Sequence, residues 1–281
     1  MKERTMRTLT LPDGRNVSAL GLGTWYMGES GRAHEGEVGA LQAGVDLGMT
    51  LIDTAEMYAE GGAEEVVGDA IKGRRDQVFI VSKVLPYNAS RKGTVAACEA
   101  SLRRLGTDHI DLYLLHWPGS HPLAETIEAF EALQVSGKIG GYGVSNFDVA
   151  EMAAWEKAAG PGACQTDQVL YNLSRRGIEW DLVPWARERM IPLMAYSPLE
   201  QGRLQDESLD FVADKHNVTA MQVALAWVLR DPSVMAIPKA SNPTHVQANR
   251  AALDLVLDDD DLALLDRSFP APRRKQALEI L

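Results

Sequence analysis

Four residues of chemically distinct type close short apolar runs or follow directly after one. Asp53 ends "TLID", Tyr58 stands five positions later, Lys83 ends "QVFIVSK", and His116 falls near the end of "IDLYLLHW". Brought together, these types would do proton transfer. A phenol can donate a proton, but its ordinary pKa of about 10 makes it a reluctant acid. An ammonium beside it would favour phenolate and lower that pKa, and a carboxylate would keep the ammonium charged and in place. An imidazole could hold an oxygen on which negative charge develops. Taken singly each has a plainer reading. Asp53 could be a turn residue, Tyr58 a half-buried loop tyrosine, Lys83 a strand-end lysine whose head reaches solvent, and His116 a satisfied core histidine.

What must position them is a run of alternating strands and helices. Strand patterns occur at Ser18 to Thr24, Thr50 to Asp53, Gln77 to Lys83, Ile110 to Trp117, Gly137 to Ser145, Ala163 to Val169, Ile191 to Ser197 and Val234 to Lys239. Helical patterns separate them, several closed by glycine, and "TVAACEASLRRLG" reads as a helix capped by Thr94. The repeat of roughly 30 residues is one βα unit, and strands this uniformly apolar are covered on both faces. The expected fold is an α/β (β/α)8 TIM barrel formed by residues 1–281 as one domain. "TLTLPDGRNV" would add an N-terminal β-hairpin cap at the barrel bottom, and "LDDDDLALLDRS" an extra C-terminal helix. A doubly wound dinucleotide fold is the rival, but "GLGTWY" and "GYGVSN" carry only two of the three glycines its fingerprint needs. In a barrel the site forms at the C-terminal strand ends, where all these candidates fall.

Composition narrows the function further. The chain has 281 residues, 46% hydrophobic and 24% charged, with a net charge of −11. That acidity argues against nucleic acid and anionic membranes as partners. Cys98 and Cys164 are far apart and read as reduced thiols. No apolar run is long enough to span a membrane, and the opening "MKERTMRTLTLPDGRN" lacks the apolar core of a secretory leader, so the expected location is cytoplasmic. Asp and His at strand ends also suit a metal-dependent hydrolase. However, no HxH pair occurs and the lysine would compete with a cation, so no metal is expected.

The motifs "GLGTW", "IDTAEMY", "VSK", "LLHWP", "GVSNF", "DQVLYN", "AYSPL" and "IPKAS" together resemble the aldo-keto reductase family, from the N-terminal hairpin through "IPKASNPTHVQAN". "GTWYMGE" and "LIDTAEMYAEGGAEEVVG" are most similar to bacterial methylglyoxal-type, small-aldehyde reductases. The resemblance implies an NADP-dependent oxidoreductase whose catalytic residues are Tyr58, Asp53, Lys83 and His116, with Tyr58 the general acid. It implies nicotinamide contacts from Thr24, Ser145, Asn146 and Gln168, ring stacking on Tyr196, and pyrophosphate contacts around Ser197, Leu199 and Gln201. Lys239 matches the lysine that meets a 2′-phosphate. Ser241, His245 and Asn249 complete that end, with His245 where the family usually has arginine. A neutral imidazole cannot make the bidentate guanidinium contact, so the cofactor expectation is NADPH with some use of NADH. Trp25 and Trp117 are implied as walls of the substrate pocket. The short segment after "FPAPRRK" implies a small, fairly open pocket for a small carbonyl compound, aryl aldehydes included. A catalytically weak, NADP-binding regulatory subunit of the same fold is the alternative, and a monomer or weak dimer is the expected state.

Overall fold

A computed structural model describes residues 6–281; residues 1–5 of the polar opening stretch lie outside the described residues. Strands β1 (Thr8–Thr10) and β2 (Asn16–Ser18) pair antiparallel, Leu9 opposite Val17, as the Pro-Asp-Gly turn predicts. Leu9, Leu11 and Val17 are buried. Arg7 Nη1 donates to Leu229 O at 2.8 Å and Arg15 Nη1 to Asp111 O at 2.7 Å, which ties the hairpin to segments that precede barrel strands. It therefore caps the end of the barrel opposite Asp53 and Lys83.

The eight strands that follow are β3 (Leu22–Gly23), β4 (Leu51–Asp53), β5 (Phe79–Val84), β6 (Leu112–Leu115), β7 (Tyr142–Ser145), β8 (Cys164–Leu170), β9 (Leu193–Tyr196) and β10 (Val234–Ala236). Each pairs in parallel with the next in chain order. Parallel bridges Leu20↔Ala236 and Gly23↔Lys239 join the first strand to the last and close the barrel. Closure explains Gly23: a Cβ there would come within 2.6 Å of the Ile237 carbonyl oxygen. The expected (β/α)8 barrel is the observed fold.

Helices α1 (His34–Asp46), α2 (Gly62–Ala70), α3 (Arg91–Leu105), α4 (Leu123–Val135) and α5 (Val149–Ala159) form the first part of the outer layer. They are followed by α6 (Leu182–Glu188), α7 (Glu207–His216), α8 (Ala220–Leu229), α9 (Pro243–Ala251) and α10 (Asp259–Ser268). Two details differ from the sequence reading. Helix α3 starts three residues earlier than Thr94, because Ser90 is the cap and accepts from the Gly93 N–H at 3.1 Å. Helix α7 has no counterpart in that reading; Asp206 starts it by accepting from Ser208 N. The extra helix α10 forms as expected, with Asp258 and Asp261 in a reciprocal capping box. Asp261 also receives Lys215 and His216, which fastens α10 to α7.

Candidate active site

Neighbouring strands deliver the first three groups. Asp53 ends β4, Lys83 lies near the end of β5, and His116 directly follows β6. In a parallel sheet these ends lie side by side, so residues thirty positions apart in the chain meet. The Lys83 side chain is 0% exposed and Asp53 is 2% exposed. Lys83 Nζ donates to Asp53 Oδ1 at 2.8 Å, Oδ2 at 2.9 Å and the Thr54 carbonyl at 2.8 Å. It also donates to the Tyr58 hydroxyl at 3.1 Å, with the ammonium 4.8 Å from that ring's centroid. Tyr58 is buried, and its ring meets Trp25 edge-on at 4.8 Å and His116 at 5.8 Å. All four proposed catalytic residues are therefore adjacent.

Burial governs the electrostatics. It pushes the Asp53 carboxyl up and the Lys83 ammonium down, each against the pull of the other. The Tyr58 phenol is pushed well above the ordinary tyrosine value by burial, and further by the Asp53 charge and by Tyr196. This differs from the lowering expected of a lysine neighbour. Desolvation is the largest effect and the Asp53 charge adds to it, so the lysine beside the hydroxyl does not bring the phenol down. The His116 ring is lowered to about 2, first by burial and then by the Lys83 charge, and is therefore a neutral imidazole. A neutral ring can donate its one N–H to an oxygen but lacks the second proton that an imidazolium would give up.

A second cluster adjoins the first. Gln168, on β8, donates from Nε2 to Asp53 Oδ1 at 2.7 Å and to Met194 Sδ at 2.9 Å. Ser145 Oγ donates to the Gln168 carbonyl at 2.8 Å. Asn146 Nδ2 donates to the His116 carbonyl and to Ser145 Oγ, both at 3.1 Å, and the Tyr196 hydroxyl donates to Asn146 Oδ1 at 3.0 Å. Thr24 is fully buried and donates to the Asp53 carbonyl at 2.9 Å. Thus Thr24, Ser145, Asn146, Gln168 and Tyr196 form one hydrogen-bonded group against the catalytic residues. Beyond β9 the backbone is left-handed at Ser197, Glu200 and Gln201, with φ of 45°, 46° and 55°. Such turns build concavities that suit anions. Glu200 anchors this loop by accepting from Asn172, Arg175 and Arg203.

Lys239 and Ser241 are exposed just before α9. Asn242 caps that helix by accepting from His245 N at 2.9 Å, and its amide faces His245 Nδ1 at 3.1 Å. Asn249 lies one turn further along and is buried. Trp25 and Trp117 flank Tyr58 and His116, the latter ring 4.9 Å from Trp117. The C-terminal tail also reaches this region: Leu281 N donates to the Tyr196 hydroxyl at 3.4 Å, and Glu279 pairs with Arg175 at 2.7 Å. The sequence reading missed this tail, Glu200 and the Gln168–Asp53 bond. Among the described residues no group of three or more His, Cys, Asp or Glu could hold a metal ion.

This barrel, with a buried lysine joining carboxylate to phenol at its strand ends, is that of a carbonyl oxidoreductase family. The profile of the Aldo/keto reductase family matches residues 19–269, and the chain belongs to that family. It is 52% identical over 272 residues to methylglyoxal reductase YeaE of Escherichia coli, covering 95% of this chain and 96% of that one. An NADH-specific methylglyoxal reductase of the same organism is 31% identical, with coverage of 92% and 96%. Among solved structures, an aldo-keto reductase from Klebsiella pneumoniae in complex with NADPH superposes with a TM-score of 0.95 at 51% identity, covering 99% of this chain and 100% of that one.

Proposed function

We propose that this protein is an NADPH-dependent reductase of small aldehydes and 2-oxoaldehydes of the methylglyoxal type, aryl aldehydes included, with Tyr58 as general acid. The observation that carries the reading is the buried contact from Lys83 to both Asp53 and the Tyr58 hydroxyl. The donor set also fits a nicotinamide dinucleotide. Amide and hydroxyl groups of Ser145, Asn146 and Gln168 suit a carboxamide, the Tyr196 face suits a flat ring, the left-handed turns around Ser197 and Gln201 suit a pyrophosphate, and Lys239 suits a 2′-phosphate. Among the described residues, Trp25 Nε1, Thr54 Oγ1 and His116 Nδ1 in this region are buried without a hydrogen-bond partner, a sign of a site built for polar contacts.

When bound, the reduced nicotinamide supplies a hydride to the carbonyl carbon. The protein supplies the rest. His116, held neutral, orients the carbonyl oxygen through an N–H. Tyr58 gives its hydroxyl proton to that oxygen, completing the alcohol. Because the phenol is raised, it keeps this proton at neutral pH until the oxygen becomes strongly basic. Lys83, already donating to the phenol oxygen, stabilises the phenolate left behind, and Asp53 keeps Lys83 in place. Trp25 and Trp117 limit water above the reacting atoms.

The identity of the YeaE relative supports methylglyoxal as a substrate. His245 in place of arginine, together with the NADH-specific relative, supports some use of NADH. The test is cofactor oxidation with methylglyoxal and with para-nitrobenzaldehyde, in the wild type and in Tyr58→Phe. Turnover by the wild type alone supports the reading; equal consumption by both proteins removes Tyr58 as the acid.

A further inference from the structure

In the chain between Asp53 and Tyr58 comes Glu56, whose role the mechanism leaves open. One of its oxygens, Oε1, accepts from Leu85 N at 2.7 Å and from Asn88 Nδ2 at 3.0 Å. Leu85 precedes, and Asn88 ends, the short 3-10 turn Pro86–Asn88 that follows β5. The loop carrying Tyr58 is therefore pinned directly to the loop carrying Tyr87. A second close contact is made to the same turn. At Gly119, in the loop after Trp117, an added Cβ would come within 2.6 Å of the Pro86 Cβ, so the two loops are in close contact.

What this bracing presents is Tyr87, 78% exposed, with one edge contact to Trp117 at 6.4 Å and 85° between planes. It completes a continuous run of rings. Trp25 meets Tyr58, Tyr58 meets His116, His116 meets Trp117, and Trp117 meets Tyr87. A rigidly supported aromatic residue left largely in water gains little from packing, whereas a flat ligand could pack against it.

We propose that Tyr87 is a specificity-determining residue for aromatic carbonyl substrates, and that Glu56 is the positioning residue that fixes this outer wall relative to Tyr58. The inference rests on the reductase reading above and extends it. An aryl aldehyde whose carbonyl oxygen lies at Tyr58 and His116 extends its ring past Trp117 toward Tyr87. Methylglyoxal is too short to reach that ring and has no aromatic face. Tyr87 therefore contributes binding to the first class and little to the second.

The experiment compares methylglyoxal and para-nitrobenzaldehyde in the wild type, Tyr87→Ala, Glu56→Ala and Glu56→Gln. In Tyr87→Ala, kcat/KM for the aryl aldehyde is expected to fall about fivefold, mostly through KM, the size of one lost ring contact. For methylglyoxal the change is expected to be less than about twofold. Glu56→Ala should show the same KM-weighted selectivity loss, and Glu56→Gln, which keeps an acceptor oxygen, should restore it. Because the Tyr87 ring is mostly in solvent, its truncation tests the proposal even where Glu56→Ala fails to fold. If the wild type reduces neither aldehyde, the reductase reading falls and this inference falls with it. If the wild type reduces both and Tyr87→Ala affects both equally or neither, this inference alone is overturned.

Discussion

The Lys83 ammonium stands 3.1 Å from the Tyr58 hydroxyl, and both groups are buried. A lysine in that position would cost stability if it were alone, and it is held by three further acceptor contacts, two of them to Asp53. The arrangement places a donor on the oxygen that, in the proposed mechanism, becomes negative once the phenol gives up its proton. Tyr58→Phe keeps the ring and its edge contacts but removes that proton. Its kcat for aldehyde reduction is expected to fall by about 10²–10⁴-fold. Cofactor affinity, read by fluorescence titration, should change little, which separates a lost acid from a damaged fold.

The direction of the Tyr58 shift leads to a pH prediction. In the proposed mechanism reduction needs the protonated phenol, which burial and the Asp53 charge hold well above the ordinary tyrosine value. His116 is already neutral throughout this range. The reduction rate should therefore be flat from about pH 6 to about pH 9 and decline only at more alkaline pH, beyond the ordinary tyrosine range near 10. A kcat profile that drops through a midpoint near neutrality would show that Lys83 lowers Tyr58 after all.

His116 makes a second, independent demand on pH. Its folded pKa is about 2 against an ordinary 6.5. Below 6.5 the unfolded chain binds a proton that the folded chain refuses. Stability from this group is thus complete above 6.5 and lost as pH falls toward 2, at about 1.4 kcal/mol per unit. Between about pH 7.5 and about pH 5 the wild type should lose about 2 kcal/mol that His116→Gln does not lose. Urea unfolding at the two pH values measures the difference, and parallel losses would rule out a buried neutral ring.

The Asp53–Lys83 pair is a different case, because breaking it leaves a charge buried. Lys83→Met strands the Asp53 carboxylate, with the Gln168 amide the one side-chain donor left among the described residues, and should destabilise the fold by about 3–5 kcal/mol. Removing both charges in Asp53→Leu/Lys83→Met should recover most of that loss while leaving the protein inactive. Thermal melts of the two singles and the double give the coupling. Additive losses would mean that the pair is less dry than its geometry indicates.

How far the sequence disclosed this site depends on the kind of contact. Strand-end positions follow from apolar runs, so Asp53, Lys83 and His116 were legible as neighbours once eight βα units were counted. Barrel closure was legible from the same count. The Gln168–Asp53 bond spans 115 positions and crosses the barrel interior, and no local pattern encodes which side chains meet there. Glu56 was overlooked because a carboxylate in a loop reads as solvated, although here it satisfies a backbone N–H of the next loop. Tyr58 stands beside Lys83, but its phenol is raised where the sequence reading expects it lowered, since the sign depends on how dry the pocket is. The sequence shows the neighbouring lysine but not the desolvation.

The adenosine end supplies the last prediction. His245 occupies the third residue of α9, where its backbone N–H is taken by the Asn242 side chain and its ring faces the Asn242 amide. It presents at most one ring nitrogen to a 2′-phosphate, while Lys239 nearby offers a charge without a fixed fork. His245→Arg adds a planar donor pair that a phosphate can accept in bidentate fashion, and NADH has no such phosphate. The variant should therefore bind NADPH about tenfold more tightly with little change for NADH. Lys239→Ala should do the reverse and bring the two affinities together. Both follow from fluorescence titration at low ionic strength, where screening is least. An equal gain for both cofactors in His245→Arg would locate its effect in the α9 cap rather than at the phosphate.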